Sequence, residues 1–272
     1  MIQKLTSLDP YMDFIREINS DPVFSDPMLS TQENMSANLY RAVGKPDNHA
    51  LGVFRDGVMT GLFVFLIIED EKYIEMLVGL SRSAEAYEET AGYLQANYPG
   101  FQADFVFNPS NSLLRKLLAG KGAAFEEEQQ KMVLTNPCPA ADTSGIEPLT
   151  ERYREQYIAM HETGCYWTGD KVVQAPERFS VFLAVENGIV IGYMDITNCF
   201  EENEPFDLKV KEDRRRRGWG RKLLAKAIEA NRPKGMALLV DVGNIPAIRL
   251  YESAGFVRVP GADSLTATWN IR

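Results

Sequence analysis

Residues 214–224 read RRRRGWGRKLL: four consecutive arginines, two glycines one residue apart, then the start of a helical pattern. Working back from it, "PFDLKV" at 205–210 reads as a strand. Working forward, Leu223, Leu224, Ala227 and Ile228 recur on one face of a helix predicted from Gly218 to about Ala230. A glycine-bearing loop that opens onto a helix N-terminus is an anion site, because unpaired backbone N–H groups and the helix dipole converge there. Gly218 and Gly220 let the backbone approach a phosphate closely, and the arginines favour a polyanion. The pattern is neither G-x-x-x-x-G-K-[ST], the nucleotide-hydrolysing loop, nor G-x-G-x-x-G after a first strand. What stands is R-x-x-G-x-G at Arg215, Gly218 and Gly220.

The surrounding chain has 272 residues and a formal net charge of −9, so the arginine run is a local exception in an acidic protein. That balance argues against nucleic-acid or membrane partners. The longest apolar run, "GLFVFLII" at 61–68, is far short of the roughly 20 residues of a membrane span and reads as a buried strand. Cys138, Cys165 and Cys199 show no metal-type pairing and fit reduced thiols in a cytoplasmic protein. With His49 and His161 as its only histidines, the chain carries no His-rich metal site, and no metal is expected.

The chain also repeats itself. "HALGVFRDGVMTGLFVFLII" (49–68) and "FSVFLAVENGIVIGYMDITN" (179–198) are each strand, Asp-Gly or Asn-Gly turn, strand, with Gly57/Gly188 and Gly61/Gly192 at an offset of 131. "NPSNSLLRKLLAGKGAAF" and "VGNIPAIRLYESAGFVRV" match at Asn111/Asn244 and Gly122/Gly255 with an offset of 133. This predicts a tandem duplication: one domain at 1–135, a linker "NPCPAADTSG" at 136–145, and a second domain at 146–272. Strands and helices alternate in the same order in both, which gives α/β layers on mixed sheets. Among the predicted elements are a strand at 125–134 and a helix at 151–161.

With its second motif "VDVGNIPAIRLYESAGF", residues 240–256, the chain resembles the GNAT superfamily of N-acetyltransferases, whose signature is [Q/R]-x-x-G-x-[G/A] between strand and helix. The resemblance covers roughly 144–272 and implies two tandem domains of the acyl-CoA N-acyltransferase fold. The first copy is degenerate, since it lacks R-x-x-G-x-G, crowds Glu85, Glu88 and Glu89 at the matching helix start, and has Leu118 where Tyr251 stands. By the same resemblance the cosubstrate is acetyl-CoA. Its pyrophosphate would lie on Arg216, Arg217, Gly218, Trp219, Gly220 and Arg221, with Arg215 in the motif and one or two arginines on the 3′-phosphate. Trp219 is expected to pack into the core in preference to stacking on the ligand. Asn244 would bond the cofactor arm or cap the helix, with Ala247 in the same motif, and a backbone N–H near Leu208–Val210 would polarise the acyl oxygen.

The family's tyrosine, here Tyr251, would protonate the leaving thiolate. A base is needed because an alkylammonium is not a nucleophile at pH 7. Asp207 is favoured over Glu204, and the two fall on opposite faces of a regular strand. Asp195, Tyr166 and Trp167 are candidates for the acceptor wall. These expectations amount to direct transfer of acetyl to a primary amine of a small cationic molecule by a cytoplasmic monomer or homodimer. The alternatives are a peptide or protein N-acetyltransferase, aminoacyl transfer to cell-wall precursors, a non-enzymatic acyl-CoA sensor, and a nucleic-acid module using the arginines.

Overall fold

The computed structural model describes residues 1–29, 35–40, 42–43, 45–136, 142–161 and 167–272, so Cys138, Cys165 and Tyr166 lie outside the described residues. The chain forms two compact units, Met1–Gln130 with Pro260–Arg272, and Lys131–Val259. In chain order the elements are β1 (Ile2–Lys4), α1 (Met12–Asn19), β2 (Asn48–Arg55), β3 (Val58–Ile68), β4 (Tyr73–Ser81), α2 (Ala84–Asn97), β5 (Gln102–Phe107), α3 (Ser112–Gly120), β6 (Ala124–Phe125), β7 (Gln129–Leu134), β8 (Ile146–Pro148), α4 (Arg154–Ile158), α5 (Gly169–Val173), β9 (Phe179–Glu186), β10 (Ile189–Thr197), β11 (Glu202–Asn203), β12 (Pro205–Val210), α6 (Trp219–Asn231), β13 (Gly235–Asp241), α7 (Ile245–Ala254), β14 (Phe256–Arg258) and β15 (Leu265–Asn270). Among the described residues no helix is long and apolar enough to cross a membrane.

Both predicted hairpins are present. Asp56-Gly57 and Asn187-Gly188 take positive φ at both residues (51° and 79°, 52° and 76°), the turn whose twist matches the flanking strands.

The predicted boundaries need correction at the last strand of each copy. The first unit's sheet runs β1-β2-β3-β4-β5-β15-β6, so a strand from the C-terminus fills the place between β5 and β6. In the second unit, β7 fills the equivalent place between β13 and β14. The predicted strand 125–134 is therefore two strands. Ala124–Phe125 pairs with β15, and the part beyond the Glu126-Glu127-Glu128 run pairs antiparallel with β14. Local sequence patterns cannot reveal which partner completes a strand's hydrogen bonds.

The second unit's strands form two sheets, β12-β10-β9-β8 and β11-β13-β7-β14. β11 pairs parallel with β13 at Glu202 and Asn203, and β12, which follows at once, pairs only with β10. The backbone from Pro205 onward thus leaves β13 and opens a cleft along one edge of β12. The core on one face holds Leu223, Leu224 and Ala227 of α6 at 0% exposure, with Met236, Tyr251 and Phe256. Each large apolar side chain so buried contributes roughly 1.5–3 kcal/mol. The other face buries Tyr153, Tyr157, Val172 and Tyr193. The predicted helix 151–161 is shorter than expected. Met160 N and His161 N bond back three residues, to Tyr157 and Ile158, so the last turn tightens after Ile158.

Candidate functional site

The loop at 211–218 leaves the N-terminus of α6 open. Gly218 is its N-cap at φ 85°, a left-handed conformation that glycine adopts freely, and no side chain caps it. A Cβ built at Gly218 would meet nothing within 4 Å. The first N–H groups of a helix have no intrahelical partner, and no side chain caps those of α6's first turn. Arg216 also has positive φ (60°), and Arg216, Arg217 and Arg221 are exposed.

The other two arginines are committed within the protein. Arg214 pairs with Glu186 at 3.0 Å and Asp213 at 2.7 Å. Arg215 donates from Nε to the carbonyl of Val210 at 3.1 Å, which ties the loop back to the end of β12. The Trp219 ring packs on Gly145, with Lys222 Nζ 5.2 Å above it, as expected of a packing residue. Asn244 caps α7 by accepting from Ala247 N at 3.2 Å.

β12 supplies the next layer. Lys211 N donates to Ile191 O, and Tyr193 opposes Lys209, so the backbone groups of the odd-numbered residues face β10. Those of Leu208 and Val210 consequently point the other way, into the cleft. The strand is not regular: Asp195 faces Asp207 while Ile196 faces Pro205, which makes Phe206 an extra, bulged residue. The expected separation of Glu204 and Asp207 onto opposite faces fails for this reason. Both carboxylates lie near Tyr251, and their charges add to its burial in pushing the phenol up to about 12. Burial also raises Glu204, against a hydrogen bond from Leu239 N that lowers it. The Tyr251 ring sits edge-on to Phe256 at 5.6 Å, and among the described residues no group hydrogen-bonds its hydroxyl. A phenol so held stays protonated at neutral pH and is free to donate.

Behind β12 lies a polar cluster that sequence reasoning missed. Asp195, with no exposed surface, accepts the Tyr157 hydroxyl at 2.9 Å on both oxygens and stands 3.0 Å from His161 Nε2. Burial raises its carboxyl, opposed by His161 and Tyr157. His161 stacks on Tyr193 at 4.4 Å, and Tyr193 donates to Asp207 Oδ2 at 2.6 Å. The sequence signal was Tyr157 and His161 one helical turn apart. Asp195, expected on the acceptor wall, is thus sealed behind His161. Trp167 packs edge-on against Phe179 at 4.9 Å with the Arg178 guanidinium 5.0 Å over its ring, and Tyr166 lies outside the described residues.

Residues 177–258 match the family described as "Acetyltransferase (GNAT) domain". Over 83 residues the chain is 35% identical to the [Ribosomal protein bS18]-alanine N-acetyltransferase of Escherichia coli K12, covering 29% of this chain and 56% of that protein. The chain thus spans about half the length of the curated relatives it matches. Its fold resembles the crystal structure of a GCN5-related N-acetyltransferase from Sphaerobacter thermophilus (TM-score 0.68, 14% identity, 100% of this chain and 96% of that one). It also resembles a tandem GNAT protein of the clavulanic acid biosynthesis pathway (TM-score 0.53, 12% identity, 100% and 99%). The cleft beside β12 and the open helix start fall within the segment 177–258 that matches the GNAT acetyltransferase domain, and the fold of the whole chain is similar to that of solved GNAT proteins, a tandem one among them.

Proposed function

We propose that the second unit transfers an acetyl group from acetyl-CoA to the primary amine of a small cationic molecule, with both substrates bound together. The observation that carries this reading is the open N-terminus of α6 lying next to the cleft edge of β12. The residues present fit acetyl-CoA: the space beside Gly218 is free, and three exposed arginines surround it. Backbone N–H groups at 218–221 would hold the diphosphate, Arg216, Arg217 and Arg221 the charged periphery, and Asn244 with Ala247 the pantetheine arm. Bound acetyl-CoA supplies a thioester carbonyl, which the N–H of Leu208 or Val210 would polarise. A positioned donor of this kind is typically worth about 2.7–4 kcal/mol at the transition state. Asp207 and Glu204 draw the cationic acceptor and receive its proton, and Tyr251 protonates the leaving sulfur.

The test is acceptor-dependent thiol release across a panel of amines, with acetyl-CoA binding measured by calorimetry. Binding without release to any amine would leave a sensor, and no binding would remove the reading altogether. One observation favours a second reading. The Escherichia coli relative is named for acetylating a protein's alanine, so a peptide beginning with alanine belongs in the panel. Preferential turnover of that peptide would replace the small-molecule acceptor.

A further inference from the structure

His161 is buried, and its ring is fixed on three sides. Tyr157 Oη lies 2.9 Å from Nε2, Asp195 Oδ2 lies 3.0 Å from Nε2, and Tyr193 stacks on the ring at an interplanar angle of 15°. The Tyr157 hydroxyl has a single proton, and both Asp195 oxygens lie within 2.9 Å of it. With that proton directed to Asp195, an Nε2–H completes the 3.0 Å contact with an ionised Asp195. Nδ1 is then left with a bare lone pair, and it is a buried atom with no hydrogen-bond partner. Leaving such an atom unpaired costs about 1–3 kcal/mol. It faces Asp207 Oδ2 at 3.9 Å. Asp207 is the outward end of the cluster, its side chain 40% exposed.

We propose that His161, oriented by Asp195 and Tyr157, is the terminal proton acceptor for the acceptor amine, and that Asp207 binds the ammonium and passes its proton inward. This rests on the acetyltransferase reading above and names the acceptor class at that site: a primary ammonium small enough to reach Asp207. The logic is that of a carboxylate fixing a histidine tautomer so that the opposite nitrogen serves as base. Among the described residues, the charged and titratable groups facing the ring are Tyr157 from α4, Asp195 and Tyr193 from β10, and Asp207 from β12. From α5 Gly169 approaches, where a Cβ would sit 3.1 Å from His161 Cδ2. In the transfer, the ammonium gives one proton through Asp207 to Nδ1. The freed amine forms the C–N bond as the C–S bond breaks. Its second proton is lost to solvent, the sulfur takes one from Tyr251, and the phenolate and imidazolium re-equilibrate with water. His161 acts through Asp207 and is a positioning and relay residue.

His161→Gln tests this, because its amide can still donate to Asp195 while removing the proton acceptor. With the best amine of the panel, kcat/KM should fall about 10²-fold at neutral pH. The deficit should shrink as pH rises and the amine deprotonates in solution, and it should be small for 2,2,2-trifluoroethylamine, which is mostly neutral at pH 7. Acetyl-CoA affinity should be unchanged. Imidazole nitrogen NMR of the full chain, assigned with His49→Gln, gives a readout independent of turnover. His161 should show Nε2–H with bare Nδ1. A ring protonated at Nδ1 alone, or wild-type turnover and pH profile in His161→Gln, overturns the proposal. Absence of acetyl-CoA binding would instead sink the acetyltransferase reading and leave the NMR result to decide this one.

Discussion

In the first unit, the carboxylate of Asp26 accepts the N–H of Gly79 at 2.6 Å, and Asp26 is itself buried. Gly79 opposes Phe63 as Leu208 opposes Met194, and Phe63 and Met194 share the 131-residue offset of the hairpins. The bulge recurs too: Val64 faces Val78 while Phe65 faces Met76, leaving Leu77 extra. Gly79 is thus the first unit's counterpart of Leu208, and the strand N–H that is open in one unit is stoppered by a carboxylate in the other. The helix that follows is closed as well, since Ser83 accepts from Ala86 N and donates to Glu85.

This stopper makes stability depend on pH. Burial raises Asp26 from 3.8 to about 7, against the lowering bonds from Gly79 and Met28. The fold therefore holds a proton that the unfolded chain releases above about pH 4. Stability should fall as pH rises from about 4 to about 7, by on the order of 1.4 kcal/mol for each pH unit, and level off above. Asp26→Asn should flatten that slope. Equal slopes in thermal melts of the two proteins between pH 5 and 8 would show that the carboxyl keeps its ordinary acidity.

The exchanged strand sets a limit on dissection. Residues 1–135 lack β15, whose Ala267 and Trp269 are 0% and 2% exposed in the first unit's core. That fragment should give a poorly cooperative melt and expose apolar surface to a dye, and adding a peptide of residues 260–272 should restore the transition. A sharp melt of 1–135 alone would contradict the strand's contribution.

Much of the second unit was legible because its signals are local. Gly218, Asn244 and the Asn187-Gly188 turn each dictate backbone geometry within a few residues. The same holds for α7, which begins directly after its cap Asn244. The rest depended on non-local pairing. Nothing near Phe206 announces a bulge, which arises from register against β10. Likewise, Arg214 reads as one of four equivalent cations until Glu186, brought alongside by the β9–β10 hairpin, takes it up. His161 escaped notice because its partners Asp195 and Asp207 lie on two later strands.

Tyr251→Phe separates catalysis from packing. The hydroxyl has no hydrogen-bond partner among the described residues, so its removal should leave the melting temperature within a degree or two and acetyl-CoA affinity unchanged. Turnover should fall by about 10²-fold if the phenol protonates the sulfur. An unchanged turnover would take Tyr251 out of the reaction.

The arginines should divide by their present partners. Arg216→Ala and Arg217→Ala free no internal contact, and each should weaken acetyl-CoA binding roughly tenfold, with a shallower salt dependence, if it meets a phosphate. Arg214→Ala breaks exposed pairs with Glu186 and Asp213 that are worth at most about 1 kcal/mol, so affinity should change little. Equal losses at all three positions would mean a diffuse field and no specific contacts.

Gly220→Glu offers the sharpest test of the loop itself. A Cβ at Gly220 would meet Leu250 Cδ2 at 3.4 Å, an ordinary contact, and its φ is not left-handed, so the substitution fits the backbone. A carboxylate in the first turn of α6 also suits the helix dipole, by about 0.3–1 kcal/mol, so the fold should melt no lower than wild type. That same carboxylate takes the place of a ligand diphosphate and repels one arriving. Calorimetry should therefore find acetyl-CoA binding lost in a protein that is fully folded. Retained affinity would mean that the anion is held somewhere other than the start of α6.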